Sequence, residues 1–415
     1  MRSALFIVLL ACFFVGCAPY SNGFAKIENG LKAGDAQRAL SALESSSPPD
    51  RDRVLYELDR AMILQDLGRY EDSAAAFEAA KTLFTEYDAI SVSEQIGSAL
   101  INDSTISYFG ADFERVLTSF YAAINYLLLG DLYGARVEIM QGDERLKAID
   151  AGEYRDDAAL RYLSGVVFEA LGENNNALVS YRQVYRIYKE GFFGVQIPNY
   201  LKNDLLRLSK KLGVAQEHNL YKSEFGLSND FNAIGSAQGE LIAILGGGFA
   251  PIKRASDVMF SSGVGVIRIS IPRYEPRFFG VPPPVLIDGV RADFELVESV
   301  AAIALETLKD DMPEIMARTA ARVVAKKGVE IAVGKAAGGN NDAASAAGAV
   351  ARLVVSLFNA ATEVADTRGW YTLPDSIYIA RVRLDSGAHK VVIGTKEYNV
   401  EIRSGERTFL APRLY

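Results

Sequence analysis

The chain has 415 residues, long enough for two or three domains with substantial cores, and its 49% apolar content is that of a folded body. A formal net charge of −8 speaks against nucleic acid as a partner, because phosphate binding needs a basic surface. The only cysteines are Cys12 and Cys17, so a mature chain starting at Cys17 has no internal disulfide.

The first 16 residues read as a lipoprotein signal peptide. Met1-Arg2 is a short positive start, and residues 4–15 form an unbroken apolar run, too short for a spanning helix of about 20 residues. Phe14-Val15-Gly16-Cys17 resembles a bacterial lipoprotein cleavage box, with phenylalanine where leucine is commoner. Leu9-Leu10-Ala11-Cys12 fits the same box, but cutting there leaves Phe13-Phe14-Val15 as an apolar new start. Cys17 is therefore the expected lipidation site, with residues 17–23 as tether; the alternative is an ordinary secreted protein with an unmodified Cys17. Each buried acyl methylene contributes about 0.8 kcal/mol, so several chains hold a protein firmly at a membrane. Ala18, in place of aspartate after the cysteine, resembles the sorting pattern that sends lipoproteins to the outer membrane, facing the periplasm.

Residues 24–215 read as helical repeats. Gly34, Gly68, Gly130 and Gly172 form one column; five residues on stand Ala39, Ser73, Ala135 and Ala177, and nine on stand Leu43, Phe77, Ile139 and Tyr181. A glycine ends the first helix of each pair where positive φ is wanted, a small residue lets the second approach it, and a large one fills the groove. Gly34 and Gly68 are 34 residues apart, the tetratricopeptide period. The longer gap from Gly68 to Gly130 implies an irregular pair across residues 90–106. Such arrays stack into a curved solenoid whose concave side commonly binds peptides; a plain helical bundle would use the same spacings.

Tyr108-Phe109-Gly110-Ala111-Asp112-Phe113-Glu114, with Asn125-Tyr126-Leu127 and Gly134-Ala135-Arg136-Val137-Glu138, resembles an uncharacterised family of tetratricopeptide-repeat-containing bacterial lipoproteins. So does Ala365-Asp366-Thr367-Arg368-Gly369-Trp370 with Leu373-Pro374, and the resemblance covers most of the mature chain. It implies an envelope protein of unassigned biochemical activity, found beside lipoproteins that resemble activators of penicillin-binding proteins, and it carries no catalytic residues. Within the central hairpin, Asn125 shares a helix face with Tyr121 and Leu128, which makes it a semi-buried bracket or else a ligand contact. Arg136 and Glu138 are two apart and cannot pair on one helix face, so both look for partners elsewhere. With the aromatic entry Tyr108-Phe109, these are the candidate partner-binding residues.

Past Gly213 the helical pattern fades, and residues 216–237 read as linker. A first β block spans 238–293. Residues 240–245 form a buried strand ended by Gly246-Gly247-Gly248, which lacks the order of a phosphate cradle and has Pro251 where a helix would start, so a hairpin or bulge is expected. Residues 264–271 alternate as a strand, and Asp288-Gly289 is a strong two-residue hairpin turn. Residues 294–366 read as inserted helices: one over 294–309, a second opening near Pro313, and a third over 342–365 after Gly338-Gly339-Asn340-Asn341. In the second, Arg318, Arg322 and Lys326 repeat at four residues as a basic stripe, either a solvated face or a dock for an anionic surface. The C-terminal β block spans 367–415. The fold class is therefore mostly α with a smaller β part: a tetratricopeptide-like α-solenoid, then a small antiparallel β-sandwich-like domain with an inserted helical segment.

An enzyme finds little support. His218 and His389 are the only histidines and show no zinc spacing, and no GxSxG is present. Asp156-Asp157 and Asp310-Asp311 fall where helix starts explain them. No cofactor or metal is expected and no catalytic residue stands out. Three readings follow: an envelope scaffold that binds other envelope proteins through its repeats, a structural subunit of a multimeric secretion- or pore-type complex, and, least supported, a carboxylate-dependent peptidoglycan-acting enzyme.

Overall fold

The computed structural model describes residues 20–98, 106–149, 154, 156–191, 195–226, 237–262, 265–337 and 365–415. The signal peptide, Cys17, most of the tether, and the third inserted helix up to residue 364 lie outside them; Ala365 itself is not helical.

Ten helices make five antiparallel pairs: α1 (Tyr20–Lys32) with α2 (Ala36–Glu44), α3 (Arg53–Asp66) with α4 (Tyr70–Ser98), α5 (Asp112–Leu128) with α6 (Leu132–Ala148), α7 (Ala158–Ala170) with α8 (Asn174–Lys189), and α9 (Asn199–Lys211) with α10 (Ala215–Phe225). Every first helix ends the same way. Gly34, Gly68, Gly130, Gly172 and Gly213 sit at φ between 71° and 79°, and the next residue's amide reaches back to close the turn, as in Asp35 N to Gly30 O at 2.9 Å and Val214 N to Ser209 O at 2.9 Å. Ala39, Ser73, Ala135 and Ala177 are fully buried where the second helix crosses the first. At Gly165 a Cβ would lie 2.3 Å from the Tyr181 ring, so that close approach requires glycine.

Two expectations change here. The linker over 216–237 begins ten residues too early, because residues 215–225 form α10. Its repeat columns carry His218 and exposed Lys222 where the other pairs carry small and large apolar residues, which hid it; the His218 ring instead folds onto α9, with Nδ1 3.2 Å from Ser209 Oγ and 3.1 Å from Leu206 O. The irregular pair across 90–106 does not form in the described part: residues 90–98 simply extend α4.

The β residues build two stacked sheets. The first has the order β10–β1–β7–β6, where β1 is Gln238–Gly247, β6 Glu295–Ser299, β7 Ser376–Asp385 and β10 Arg407–Leu410; the short β11 (Arg413–Leu414) also pairs with β1. The second has the order β5–β4–β8–β9, from β4 (Val285–Ile287), β5 (Val290–Ala292), β8 (Gly387–Ile393) and β9 (Lys396–Ile402). The period-2 alternation of β1 sorts its faces: Leu241 and Ala243 join Val391, Ile393, Val400 and Ile402 between the sheets, whereas Ile242 and Ile244 join the helical core. The first sheet is thus the middle of three layers. A ribbon of β2 (Ile252–Ser262) and β3 (Gly265–Glu275) stands apart from both sheets, and α11 (Val300–Ala337) packs on β3.

The sandwich is not purely antiparallel: β10 and β11 run parallel to β1, because the chain leaves the outer sheet after β9 and crosses to the middle one. The helix expected from 294 starts at Val300, after strand β6 with its irregularity between Leu296 and Glu298; five residues are too few for periodicity to separate strand from helix. Nor is there a break near Pro313, since α11 runs through it. Proline removes the bond to the carbonyl four residues back, which here belongs to solvent-exposed Lys309. The Asp288-Gly289 turn forms as read, with φ of 50° and 84°. The glycine run ends β1: a Cβ at Gly246 would lie 2.5 Å from Arg413 Nη1 and one at Gly247 2.4 Å from the Phe279 ring, so it serves close packing rather than a bulge.

Candidate functional site

In a solenoid of helix pairs the first helices line one continuous face, the surface usually available to a peptide. Here the chain's own β module covers that face along its length. Beyond the helical array itself, α1 meets it through Phe24 and Glu28, α3 through Asp59, α5 through Glu114 and Tyr121, α7 through Tyr162 and Ala159, and α9 through Asn199 and Asp204.

The strap of residues 365–375 fills one end. Trp370 packs edge-on against Phe77 and Tyr121, at 5.9 and 6.1 Å between ring centroids. Its backbone amide donates to Glu114 Oε1 (2.8 Å) and its indole nitrogen to Thr372 Oγ1 (2.9 Å). Glu114 Oε2 meanwhile accepts from the Tyr108 hydroxyl (2.5 Å) and the Ala111 amide (3.0 Å), so the carboxylate joins strap to repeat. Thr372 donates through its amide and hydroxyl to Asp59 Oδ1, at 3.1 and 2.7 Å. Arg368 donates to Asp52 Oδ1 (3.0 Å), to the Ile106 carbonyl (2.8 Å) and to Asp366, and lies over the Tyr108 ring.

At the other end three arginines and three carboxylates interlock. Arg381 of β7 donates to Glu240 at 2.9 and 2.8 Å, to Asp204 Oδ2 at 2.5 Å and to the Tyr162 hydroxyl at 2.7 Å. Arg207 bridges Glu169 and Asp204, and Arg407 reaches Glu169 at 2.7 Å. Burial alone would raise the Glu169 carboxyl, but Arg207 and then Arg407 overcome it and hold it at about 2; Glu240 is likewise lowered against its burial by Arg381. A cavity of about 330 Å³ adjoins this cluster, lined among others by Asn199, Arg383 and Arg407. Its ion pairs hold two layers together, and each buried charge already has its partner.

Between these ends lie two carboxyls from different layers. Asp157 caps α7, accepting from the Leu160 amide (2.6 Å) and the Tyr154 hydroxyl (2.8 Å), and Glu298 of β6 accepts from the Ala159 amide (3.1 Å). Burial first, and for Glu298 then the neighbouring Asp157, pushes both carboxyls up, Glu298 well above its ordinary range. The pair therefore holds a proton in the folded chain that the unfolded chain has lost above about pH 4. Its contribution to stability is greatest in acid and declines as pH rises toward the folded values. Glu298→Gln, which keeps an acceptor and adds a donor, is expected to leave the melting temperature unchanged near pH 4 and raise it by about 2–4 °C at pH 8. Melts followed by circular dichroism check this; an equal shift at both pH values contradicts it.

The residues singled out from sequence do not assemble into one site. Asn125 is fully buried: it accepts from Gln65 Nε2 (2.7 Å) and donates to Ser73 Oγ (2.8 Å), which donates to the Ala61 carbonyl (2.7 Å). It brackets α3, α4 and α5, the structural role rather than a ligand contact. Asn125→Leu strands these groups and is expected to cost about 1–3 kcal/mol, read as a lower urea midpoint. Tyr108 is buried under the strap, and Phe109 lies 6.1 Å from the Tyr87 ring. Glu138 is buried against Lys81 of α4 (2.9 Å), its carboxyl raised by burial. Arg136 reaches Glu173 at 2.9 Å across to the next pair and stacks on Phe168. Asn125, Tyr108 and Glu138 are thus spent inside the molecule rather than offered to a partner.

The basic stripe also divides. Arg318 is exposed, 3.7 Å from Glu314, whereas Arg322 is buried and donates to Thr319 Oγ1 (3.1 Å) beside a cavity of about 240 Å³; the Lys326 side chain lies outside the described residues. Asp157 is a helix cap as read, but Asp310-Asp311 falls inside α11 rather than at a helix start. His389 bonds Asp288 Oδ2 at 2.7 Å within the second sheet. Among the described residues no group of three metal-ligating side chains occurs, and no helix is long and apolar enough to cross a membrane.

What sequence reading missed is the strap and the arginine cluster, although Asp204, set among Tyr200, Leu201, Leu205 and Leu208 on the buried face of α9, was a visible signal. It also passed over the outer surface of α6, where Tyr133, Val137 and Met140 stand 74%, 53% and 43% exposed at i, i+4 and i+7.

Five glycine-ended helix pairs joined to a stacked β module define the class: a tetratricopeptide-like α-solenoid followed by a small β domain. No known family model and no curated protein matches the chain. Among solved structures it is similar to MamA (TM-score 0.32, 14% identity, 48% of this chain and 91% of that one). It is also similar to BtubC from P. vanneervenii (0.32, 16%, 49% and 74%) and to a tetratricopeptide repeat protein from Parabacteroides merdae (0.22, 11%, 51% and 80%).

Proposed function

We propose that the chain is a non-enzymatic scaffold of the bacterial envelope, acylated at Cys17, held at the outer membrane facing the periplasm, and binding other envelope proteins through the outer face of its repeats. The row Tyr133, Val137 and Met140 carries this reading. An apolar row on a charged outer helix is a docking feature, because single exposed apolar residues are ordinary and aligned ones are not. The repeat face that would otherwise receive a peptide is already filled by the strap and the middle sheet. The signal-like start with Cys17 supports the anchor, and the family resemblance points to partners in peptidoglycan synthesis or envelope assembly.

The test is photo-crosslinking in the intact envelope from a probe placed at Tyr133. The reading expects one discrete adduct, lost in Val137→Lys/Met140→Lys, and release of the chain from the membrane fraction in Cys17→Ser. An adduct that survives the lysines contradicts the docking row; a Cys17→Ser chain that stays with the outer membrane contradicts the anchor.

A further inference from the structure

The loop of residues 276–284 joins β3 to β4 and is pinned along its length. Arg277 turns inward: it donates to the Ala250 carbonyl (2.7 Å), to Glu28 Oε2 of α1 (3.0 Å) and to the Tyr371 carbonyl (2.8 Å). Its guanidinium also lies over the Phe24, Phe249 and Tyr371 rings. Phe279 fills the space that a Cβ on Gly247 or Gly248 would need, 6.3 Å from the Tyr378 ring. Pro276 and Pro282-Pro283-Pro284 stiffen the backbone on either side. Between these pins Phe278 and Val281 stand 89% and 94% exposed, the most exposed large apolar side chains among the described residues. Arg277 is the only charged residue in the loop, and its side chain is only 12% exposed. Glu275, just before the loop, pairs with Arg254 at 3.0 Å.

Apolar side chains held out on a stiff loop mark a contact surface, and the path of the chain says what it meets. Glu28, which grips Arg277, is eight residues from the start of α1 at Tyr20, about 12 Å along the helix. Tyr20 is three residues from Cys17, a reach of at most about 11 Å. An acyl anchor on Cys17 therefore keeps the foot of this loop within roughly 25 Å of the bilayer. We propose that Phe278 and Val281 insert into the interface of the bilayer that holds Cys17, a second membrane contact that lays α1 along the surface. This rests on acylation at Cys17. Two apolar side chains bind a bilayer weakly alone, but the anchor makes the contact intramolecular, at a high effective concentration. Pro282, Pro283 and Pro284 carry no N–H, so few backbone donors are desolvated on entry. One anchor leaves the body free to swivel; the loop fixes which face of the repeats points away from the membrane.

In the acylated chain Cys17 is a thioether and Cys12 leaves with the signal peptide, so Val281→Cys supplies a single free thiol. The test purifies this chain from the envelope, reads its mass for the acyl adduct, and labels residue 281 with an environment-sensitive fluorophore. On phosphatidylethanolamine–phosphatidylglycerol vesicles the label is expected to shift to the blue and to be shielded from aqueous iodide. Lipids carrying a quencher near the headgroup are expected to quench it. A label at Tyr133→Cys is expected to stay open to iodide and untouched by those lipids. Phe278→Asp, added to the chain labelled at 281, is expected to return the label to water. All three sites are solvent-facing, so the substitutions leave the melting temperature in place. An acylated chain whose 281 label stays in water overturns this proposal and leaves the anchor standing. A label that the aspartate does not release also overturns it, because nearness to the anchor then accounts for the signal. An unmodified Cys17 overturns the anchor and this proposal together. A label shielded in the native envelope but open on vesicles overturns it in favour of a protein partner.

Discussion

Arg381→Met is expected to destabilise the chain by about 3–5 kcal/mol, because it takes the bidentate partner from buried Glu240 and leaves buried Asp204 with Arg207 alone. The guanidinium is buried beneath the middle sheet and is shared by Glu240 of its own sheet and Asp204 of α9. Methionine fills much of the volume, so the loss reads electrostatics rather than a cavity. Arg381→Lys is expected to recover only part of it, since an ammonium cannot span two carboxylates as a guanidinium fork does. The deficit has a definite pH sign. In the wild type Glu240 sits below its ordinary value, a contribution present at neutral pH and lost as pH falls through the carboxylate range. Without Arg381 only Arg407 still favours the Glu240 carboxylate against its burial, so the gap between the two proteins widens from pH 4 to pH 8. Urea midpoints across that range check it, and a gap independent of pH would contradict the charge argument.

Trp370→Ala is the second large effect, about 3–5 kcal/mol from lost burial and the cavity left behind. The ring is 2% exposed and touches Phe77 and Tyr121, residues of two successive helix pairs. Removing it also loosens the backbone bond to Glu114, so hydrogen exchange is expected to accelerate across residues 365–375 and at the start of α5. The far end of the array, where Arg207 and Glu169 hold, is expected to keep its protection. Uniform acceleration would mean that the strap is not a local fastening but part of a single cooperative unit.

The repeat half was legible because its rules are local. A positive-φ glycine, a small residue five on and a large one nine on recur with a fixed spacing, and the physics of one helix pair explains all three. Where a pair breaks the columns, as α10 does with His218 and Lys222, the sequence falls silent although the helix still forms. The Asp288-Gly289 turn was legible for the same reason. The docking of the β module was not. Arg368 meets Asp52, Thr372 meets Asp59 and Arg381 meets Asp204 across separations of 177 to 316 residues, and periodicity says only that a residue is buried, never against what. Asn125 shows the limit within one hairpin: its face predicted burial, but Gln65 and Ser73, its partners, belong to the preceding pair.

That the chain's own strap fills the inner face of the repeats can be read from one residue. Trp370 is the only tryptophan in the chain, and it sits at the junction of strap, α4 and α5. Its fluorescence in the native protein is expected to be blue-shifted and nearly insensitive to acrylamide, and to move to the red and become quenchable only on unfolding. Native emission and quenching like those of free tryptophan would show the strap lying off the repeats and their inner face open to a partner.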